Sequence, residues 1–305
     1  MRMRKMGHYK SSVSGRIIKI AIITIAVSMG MILISVSSGK GLQLEIKKKT
    51  TAFNGHLQIV PFESNQSEIS ISPIVDSIQI KKKLMARNQV VHVQSTATKA
   101  SIIKNQNMYE GVFLKGVDRD YKWDYLKSFL VEGTFPNFSN TVSNEIIISK
   151  EIFNKLKLKL GEHIEAFFFK DINQNYPNIR KFKVVGVFST GFPEIDKSFI
   201  IGDIKNIKSI NKWKQNYVGN YEVFLDEMKN IDKIGNDIYK NLPSNLDVLG
   251  VHQKYPDIFQ WISLFDFNIF IIFFVMIIVG IVNTSTALLV RSEEHTSELQ
   301  SPLDI

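Results

Sequence analysis

The sequence predicts an α+β domain held outside the membrane between two transmembrane α-helices. Three observations predict it: two long apolar stretches at 17–36 and 267–290, a polar stretch between them in which strand-like and helix-like patterns alternate, and a basic N-terminal flank. Each apolar stretch is near the roughly 20 residues that carry a helix across about 30 Å of hydrocarbon, where only an internally bonded helix satisfies its own backbone. The chain therefore divides into a cytoplasmic N-terminus (1–16), a first span (17–38), an external domain (39–259), a second span (260–290) and a tail (291–305).

Arg2, Arg4, Lys5, Lys10 and Arg16 precede the first span with no acidic residue among them. Positive flanks stay on the cytoplasmic side, so both ends are expected inside and the large domain outside an inner membrane. Lys40, Lys47, Lys48 and Lys49 follow the same span and reduce this asymmetry. A cleaved signal peptide shares the basic start, but the apolar run here is longer than a usual h-region and lacks a small-residue cleavage site.

The first helix is expected to run beyond the membrane, because Leu42, Ile46, Thr50 and Phe53 keep helical spacing toward Gly55, a plausible C-terminal cap. A strand at 56–61 follows, then a helix from Ser72-Pro73 to about Arg87, with Ser72 as cap and proline in the first helical position. Strands are expected at 89–94, 97–103 and 109–117, and Asp118 is placed as cap of a short helix through 130. The segment 145–169 reads as strand, helix and strand, with Ser149 capping the helix and Gly161 turning the chain. A loop of sequence DINQNYPNIR (171–180) leads into a strand at 181–189. Strand-helix units follow at 199–213, with Asp203 as cap, and at 221–242, where Ile231, Ile234, Ile238 and Leu242 form an apolar stripe.

Composition excludes several chemistries. Without a cysteine there is no disulfide, thiolate nucleophile or thiolate metal site. The histidines are scattered, and no Walker-type loop, G-x-S-x-G elbow or His-Glu-x-x-His pattern occurs. The acidic pairs Glu145 with Glu151 and Asp118 with Asp120 read most simply as caps and solvated surface. The chain is thus expected to be no enzyme and to hold no metal or cofactor. Its net charge of +9 is spread through the external domain with no nucleic-acid module, which favours anionic lipid over nucleic acid as the partner of that charge. Asp266 stands at the edge of the second span beside Trp261 and Phe265, where an acid remains hydrated within an aromatic belt.

The segment RSEEHTSELQS (291–301) differs from the basic flank expected after a second span. It resembles one reading frame of a widely used sequencing-library adapter, and residues 291–305 are accordingly expected to be non-native and are left out of the functional argument.

Several segments together resemble the permease subunits of lipoprotein-releasing ABC transporters, the LolC and LolE type within the MacB/FtsX-like permease group. They are the first span with its extension KGLQLEIKKKTTAFNGHLQI (40–59), GVFLKGVDRDY (111–121), LVEGTFP (130–136), NEIIISKEIFNKLKLKLGE (144–162), KFKVVGVFSTGFPEIDKSFIIGDI (181–204) and PDIFQWISLFDFN (256–268). The resemblance implies a porter-like α+β lobe and a β-rich lobe outside the membrane, and four spans of which two are in this sequence. It also implies a second permease subunit, a separate cytoplasmic ATPase subunit, a lipoprotein cargo and a periplasmic lipoprotein chaperone. On that resemblance the chaperone-binding hairpin is expected at Ile172, Asn173, Tyr176, Pro177 and Arg180. A lipid-facing groove is expected from Met29, Ile32 and Leu33 with Phe267, Phe270 and Phe274, because exposed methylenes cost about 0.8 kcal/mol each. A related permease with another export or force-transmitting role, and a two-span sensory receptor, are the alternative readings.

Overall fold

A computed structural model describes residues 7–64, 67–138, 141–169 and 176–299. The chain forms two compact units, one of residues 47–255 and one of the two chain ends. Helix α1 spans Gly7–Asn54. It ends where expected: Gly55 takes φ +73° and its N–H donates to the carbonyl of Thr51 at 2.8 Å, the left-handed stop that glycine adopts without strain.

In chain order the domain then contains β1 (Leu57–Pro61), β2 (Ile74–Val75), α2 (Ile78–Met85), β3 (Val90–Asn105), β4 (Met108–Val117) and β5 (Leu130–Gly133). Next come β6 (Glu145–Ser149), α3 (Lys150–Lys155), β7 (His163–Phe168), β8 (Asn178–Phe188), α4 (Pro193–Asp196), β9 (Phe199–Asp203) and α5 (Ile204–Asn211). The last are β10 (Tyr217–Val218), β11 (Asn220–Leu225), α6 (Ile231–Tyr239), β12 (Leu246–Gly250) and α7 (Val251–Lys254), before α8 (Pro256–Leu299).

Two lobes share strand β3. In the first, the sheet order is β12-β1-β11-β3 with every neighbour antiparallel, and the connections β1-α2-β3 and β11-α6-β12 make a split βαβ of ferredoxin-like topology. In the second, β3 pairs β4, β4 pairs β9, β9 pairs β6, β6 pairs β8, β8 pairs β7, and β7 returns to β3. That ring is closed, a six-stranded barrel with no free edge among its members. Ile103, Leu114, Ile146, Ala166, Phe168, Phe182 and Ile200 are fully buried in this lobe. Helix α5 lies against β4 so closely that a Cβ on Gly116 would come within 2.7 Å of the Ile204 backbone. Phe53, from the last turn of α1, is buried with Phe199 and Phe188, at 5.1 and 6.3 Å between ring centroids.

The caps at Ser149 and Asp203 form as the sequence indicates, accepting from the N–H of Ile152 at 3.2 Å and of Lys205 at 2.9 Å. Three expectations are corrected. The helix placed at Ser72-Pro73 begins at Ile78: Ile74 and Val75 are instead paired with Val218 and Tyr217, and Ser77 caps the helix through the N–H of Ile80. The strands at 89–94 and 97–103 are one strand of 16 residues. The helix placed after Asp118 is a pair of 3-10 turns, Trp123–Tyr125 and Lys127–Phe129, whose aromatic rings pack into the core too early for a regular helix to propagate.

Candidate functional site

Strands β7 and β8 pair antiparallel as the two arms of a hairpin in the barrel wall. Its strands pair Phe167 with Ile179 and Phe168 with Asn178, and β7 pairs Ile102 of β3 with Phe167. Side chains alternate across a strand, so Ile102, Phe167 and Ile179 form one row on the outer face, with Phe169 continuing it. Ile102, Phe169 and Ile179 are exposed. The barrel thus presents an apolar strip where a sheet face is usually polar.

Tyr176, two residues before β8, is 84% exposed, and Pro177 is half-buried. Arg180 is half-buried. Its guanidinium donates to Ser209 Oγ of α5 at 3.3 Å and to the carbonyl of Ile179 at 3.1 Å. Ile172 and Asn173 lie outside the described residues. Tyr176 and the strand residues therefore form the described part of this surface; Ile179 falls in the stretch expected as loop (171–180), whereas β8 begins at Asn178, and Phe167 carried no signal beyond its place in an expected strand.

The two chain ends form a pair of antiparallel helices. Half-buried positions on α1 include Ser28, Ile32, Val36 and Gly39, with Gln43 buried; on α8 they include Phe265, Ile269, Ile272, Met276, Gly280 and Asn283, with Ile262 buried. Steps of three and four residues make a seam of the coiled-coil kind. Gly39 sits at its closest approach, where a Cβ would lie 3.4 Å from the Ile269 side chain. Gln43 closes one end, its amide donating to the carbonyl of Ile262 at 3.1 Å and to Asp266 Oδ1 at 3.2 Å. Asp266 is thereby a partner within the helix pair, a role its interfacial position alone did not suggest.

Met29 and Ile32 line an apolar groove of about 240 Å³ facing Phe273, Met276 and Ile277. Leu33 is exposed beside it. Phe267, Phe270 and Phe274 are 59%, 67% and 58% exposed, on the α8 face turned away from that seam. The α1 and α8 residues nominated for one groove are therefore not brought together. Both helices are long and apolar enough to cross a membrane, over Ile22–Asn54 and Pro256–Thr286. Among the described residues no cluster of three or more His, Asp and Glu forms a metal site.

An α+β domain of ferredoxin-like lobe and closed barrel, carried between two membrane-length helices, defines the class as a membrane protein with one large extramembrane domain. Residues 20–241 match the family described as MacB-like periplasmic core domain, and the chain belongs to that family. A relative, the lipoprotein-releasing system transmembrane protein LolC of Buchnera aphidicola subsp. Schizaphis graminum, is 23% identical over 273 residues. That match takes in 86% of this chain and 63% of the relative's length. Among solved structures, the periplasmic region of MacB from Actinobacillus actinomycetemcomitans is similar at a TM-score of 0.45 and 14% identity, covering 66% of this chain and 91% of that one. The extracellular domain of the noncanonic ABC-type transporter YknZ from Gram-positive bacteria is similar at 0.42 and 17%, covering 64% and 99%.

Proposed function

We propose that the chain is part of a permease subunit of an ABC transporter that extracts lipoproteins from the inner membrane and passes them to a periplasmic chaperone. The single observation that carries this reading is the likeness to LolC along 86% of the chain, on a MacB-like domain between two membrane-length helices. ATP is hydrolysed by a separate cytoplasmic subunit, and a second permease subunit completes the pathway. The chain's own work is mechanical: its helices meet lipid and its domain meets the chaperone.

The chaperone surface is the β7–β8 hairpin together with the row Ile102, Phe167 and Ile179. An exposed aromatic together with an apolar strip is the composition that dominates binding energy at protein interfaces. Arg180 contributes by holding the base of the hairpin to α5. Ile172 and Asn173 are assigned to the same chaperone contact in this reading.

The test is reconstitution of the full-length protein with a cytoplasmic ABC ATPase subunit, in liposomes carrying a triacylated lipoprotein, with ATP-dependent transfer to soluble chaperone as the readout. Transfer that falls on Y176A/P177A while ATP turnover persists supports both the function and the surface. ATP turnover without any lipoprotein release sinks the lipoprotein reading. It leaves the alternative reading, a related permease with another export or force-transmitting role.

A further inference from the structure

A buried ion pair and a partly buried one lie together where the chain enters and leaves the domain. Lys115 on β4 meets Glu222 on β11 at 2.7 Å, with side chains 3% and 2% exposed. Lys254, the last residue of α7, meets Glu68 at 2.9 Å. Between them lies a cavity of about 30 Å³, room for about one water, lined by both pairs with Asn54 and Gln58.

Each pair is tied to a chain end. The Lys115 ammonium donates to the carbonyl of Phe53 in the last turn of α1 and lies 4.3 Å from the Phe53 ring. A cation there meets the negative end of the helix dipole and an unsatisfied carbonyl. Lys254 also donates to Gln58 Oε1 at 3.2 Å, and Gln58 donates back to the carbonyl of Asn54 at 3.2 Å. The Tyr255 hydroxyl donates to Asn54 Oδ1 at 3.2 Å, joining the last residue of α1 to the residue before α8. Glu222 further accepts from Gln94 at 2.8 Å and Thr96 at 3.4 Å.

Apolar residues of the same volume usually stabilise a core as well as a buried ion pair does, so such a cluster is best attested where it fixes one arrangement against others. Here the arrangement it fixes is the side-by-side position of residues 53–54 and 254–255. We propose that Lys115, Glu222, Lys254 and Glu68 are positioning residues forming a latch that holds the domain's entry and exit together. When the latch opens, water entering the cavity hydrates the separated charges, and residues 53–54 move apart from residues 254–255.

The inference rests on the permease reading only for the consequence of opening, not for the latch. The chain has no native cysteine, so paired labels are introduced cleanly. Spin labels at K48C and D257C on the full chain in nanodiscs report the entry-to-exit distance by double electron–electron resonance. The expected result is one narrow distance peak, lost in K254M and in K115M, kept in K155M, which removes the cation of the surface pair with Glu110, and regained in K254Q/E68Q. A merely structural role would not give rescue by the neutral pair. Because K115M threatens folding, the less buried K254M decides the matter. A narrow peak unchanged in folded K254M overturns the latch. This measurement needs no ATPase or cargo, so its failure is separate from any failure of lipoprotein transfer.

Discussion

Lys115 is the residue whose environment is least like its sequence context. Burial lowers its pKa from the ordinary lysine value and the Glu222 charge opposes that shift, so the ammonium depends on its partner. K115M leaves Glu222 charged and buried, and is expected to lose about 3–5 kcal/mol, whereas K115M/E222M recovers most of it. Urea unfolding of the detergent-solubilised chain, followed by tryptophan fluorescence, checks both; equal losses in the single and double variants would count against the pair. His56 gives a second expectation. Burial lowers its pKa to about 4, against a smaller upward pull from Asp226, and its Nδ1 accepts from the N–H of Leu225 at 3.1 Å. The folded chain therefore keeps His56 neutral while the unfolded chain binds a proton below its ordinary value near 6.5. The resulting stability is complete above pH 6.5 and is lost as pH falls toward 4, by at most on the order of 3 kcal/mol. Melting temperature should drop between pH 7 and 4.5 in the native chain and drop less in H56Q; parallel curves would refute the assignment. Of these residues only the caps Ser149 and Asp203 were legible beforehand, because a cap and its helix are adjacent in sequence. Glu222 and Lys115 sit on distant strands, and nothing local marks either as buried.

Strand β3 shows why element boundaries failed where they did. Between Val93 and Ala97 every residue is buried, the polar ones included, because both faces of the strand are covered. Ser95 donates to Asp76 at 3.3 Å and Thr96 to Asn220 at 3.1 Å. The two-residue alternation that signals a half-buried strand vanishes there, and the polar run reads as a break. The amphipathic helices α5 and α6 keep one apolar face and were legible, although α6 ends at Tyr239, before the Leu242 that was counted in its stripe. Strand β5 was not, since it is short and exposed, and its pairing with β8 depends on Gly133. That glycine has φ +81°, and a Cβ on it would lie 2.2 Å from the carbonyl oxygen of Val185. G133A should therefore detach β5 from β8 at a cost of about 1–3 kcal/mol. Faster amide exchange confined to 130–133 and 185–188 is the expected signature, and unchanged exchange there would show that the strand tolerates the methyl group.

For the whole molecule, the order of span, external domain and span was legible because hydrophobic length is a local property of the chain. Closure of the barrel was not, since it requires β7 to pair with both β3 and β8, and sequence patterning shows neither partner. The faces of the spans were half legible. The stripe Phe267, Phe270 and Phe274 was found by helical spacing, but spacing alone does not say whether a stripe meets a helix or lipid. The seam supplies that distinction: Ile269 lies against Gly39 of α1, and Phe270, one residue on, is turned about 100° away and exposed. Neighbouring residues should thus report different surroundings. With a benzophenone side chain at position 270, irradiation in proteoliposomes should yield acyl-chain adducts; at 269 it should yield a link between α8 and α1. Small residues such as Gly39 let helices approach in lipid, where association depends on close packing rather than on the hydrophobic effect. G39L should accordingly abolish the 269 link and leave lipid labelling at 270 unchanged. Equal lipid labelling at both positions would mean that the helices do not pair through this seam. Protein adducts alone at 270 would mean that the phenylalanine face packs against other helices rather than acyl chains.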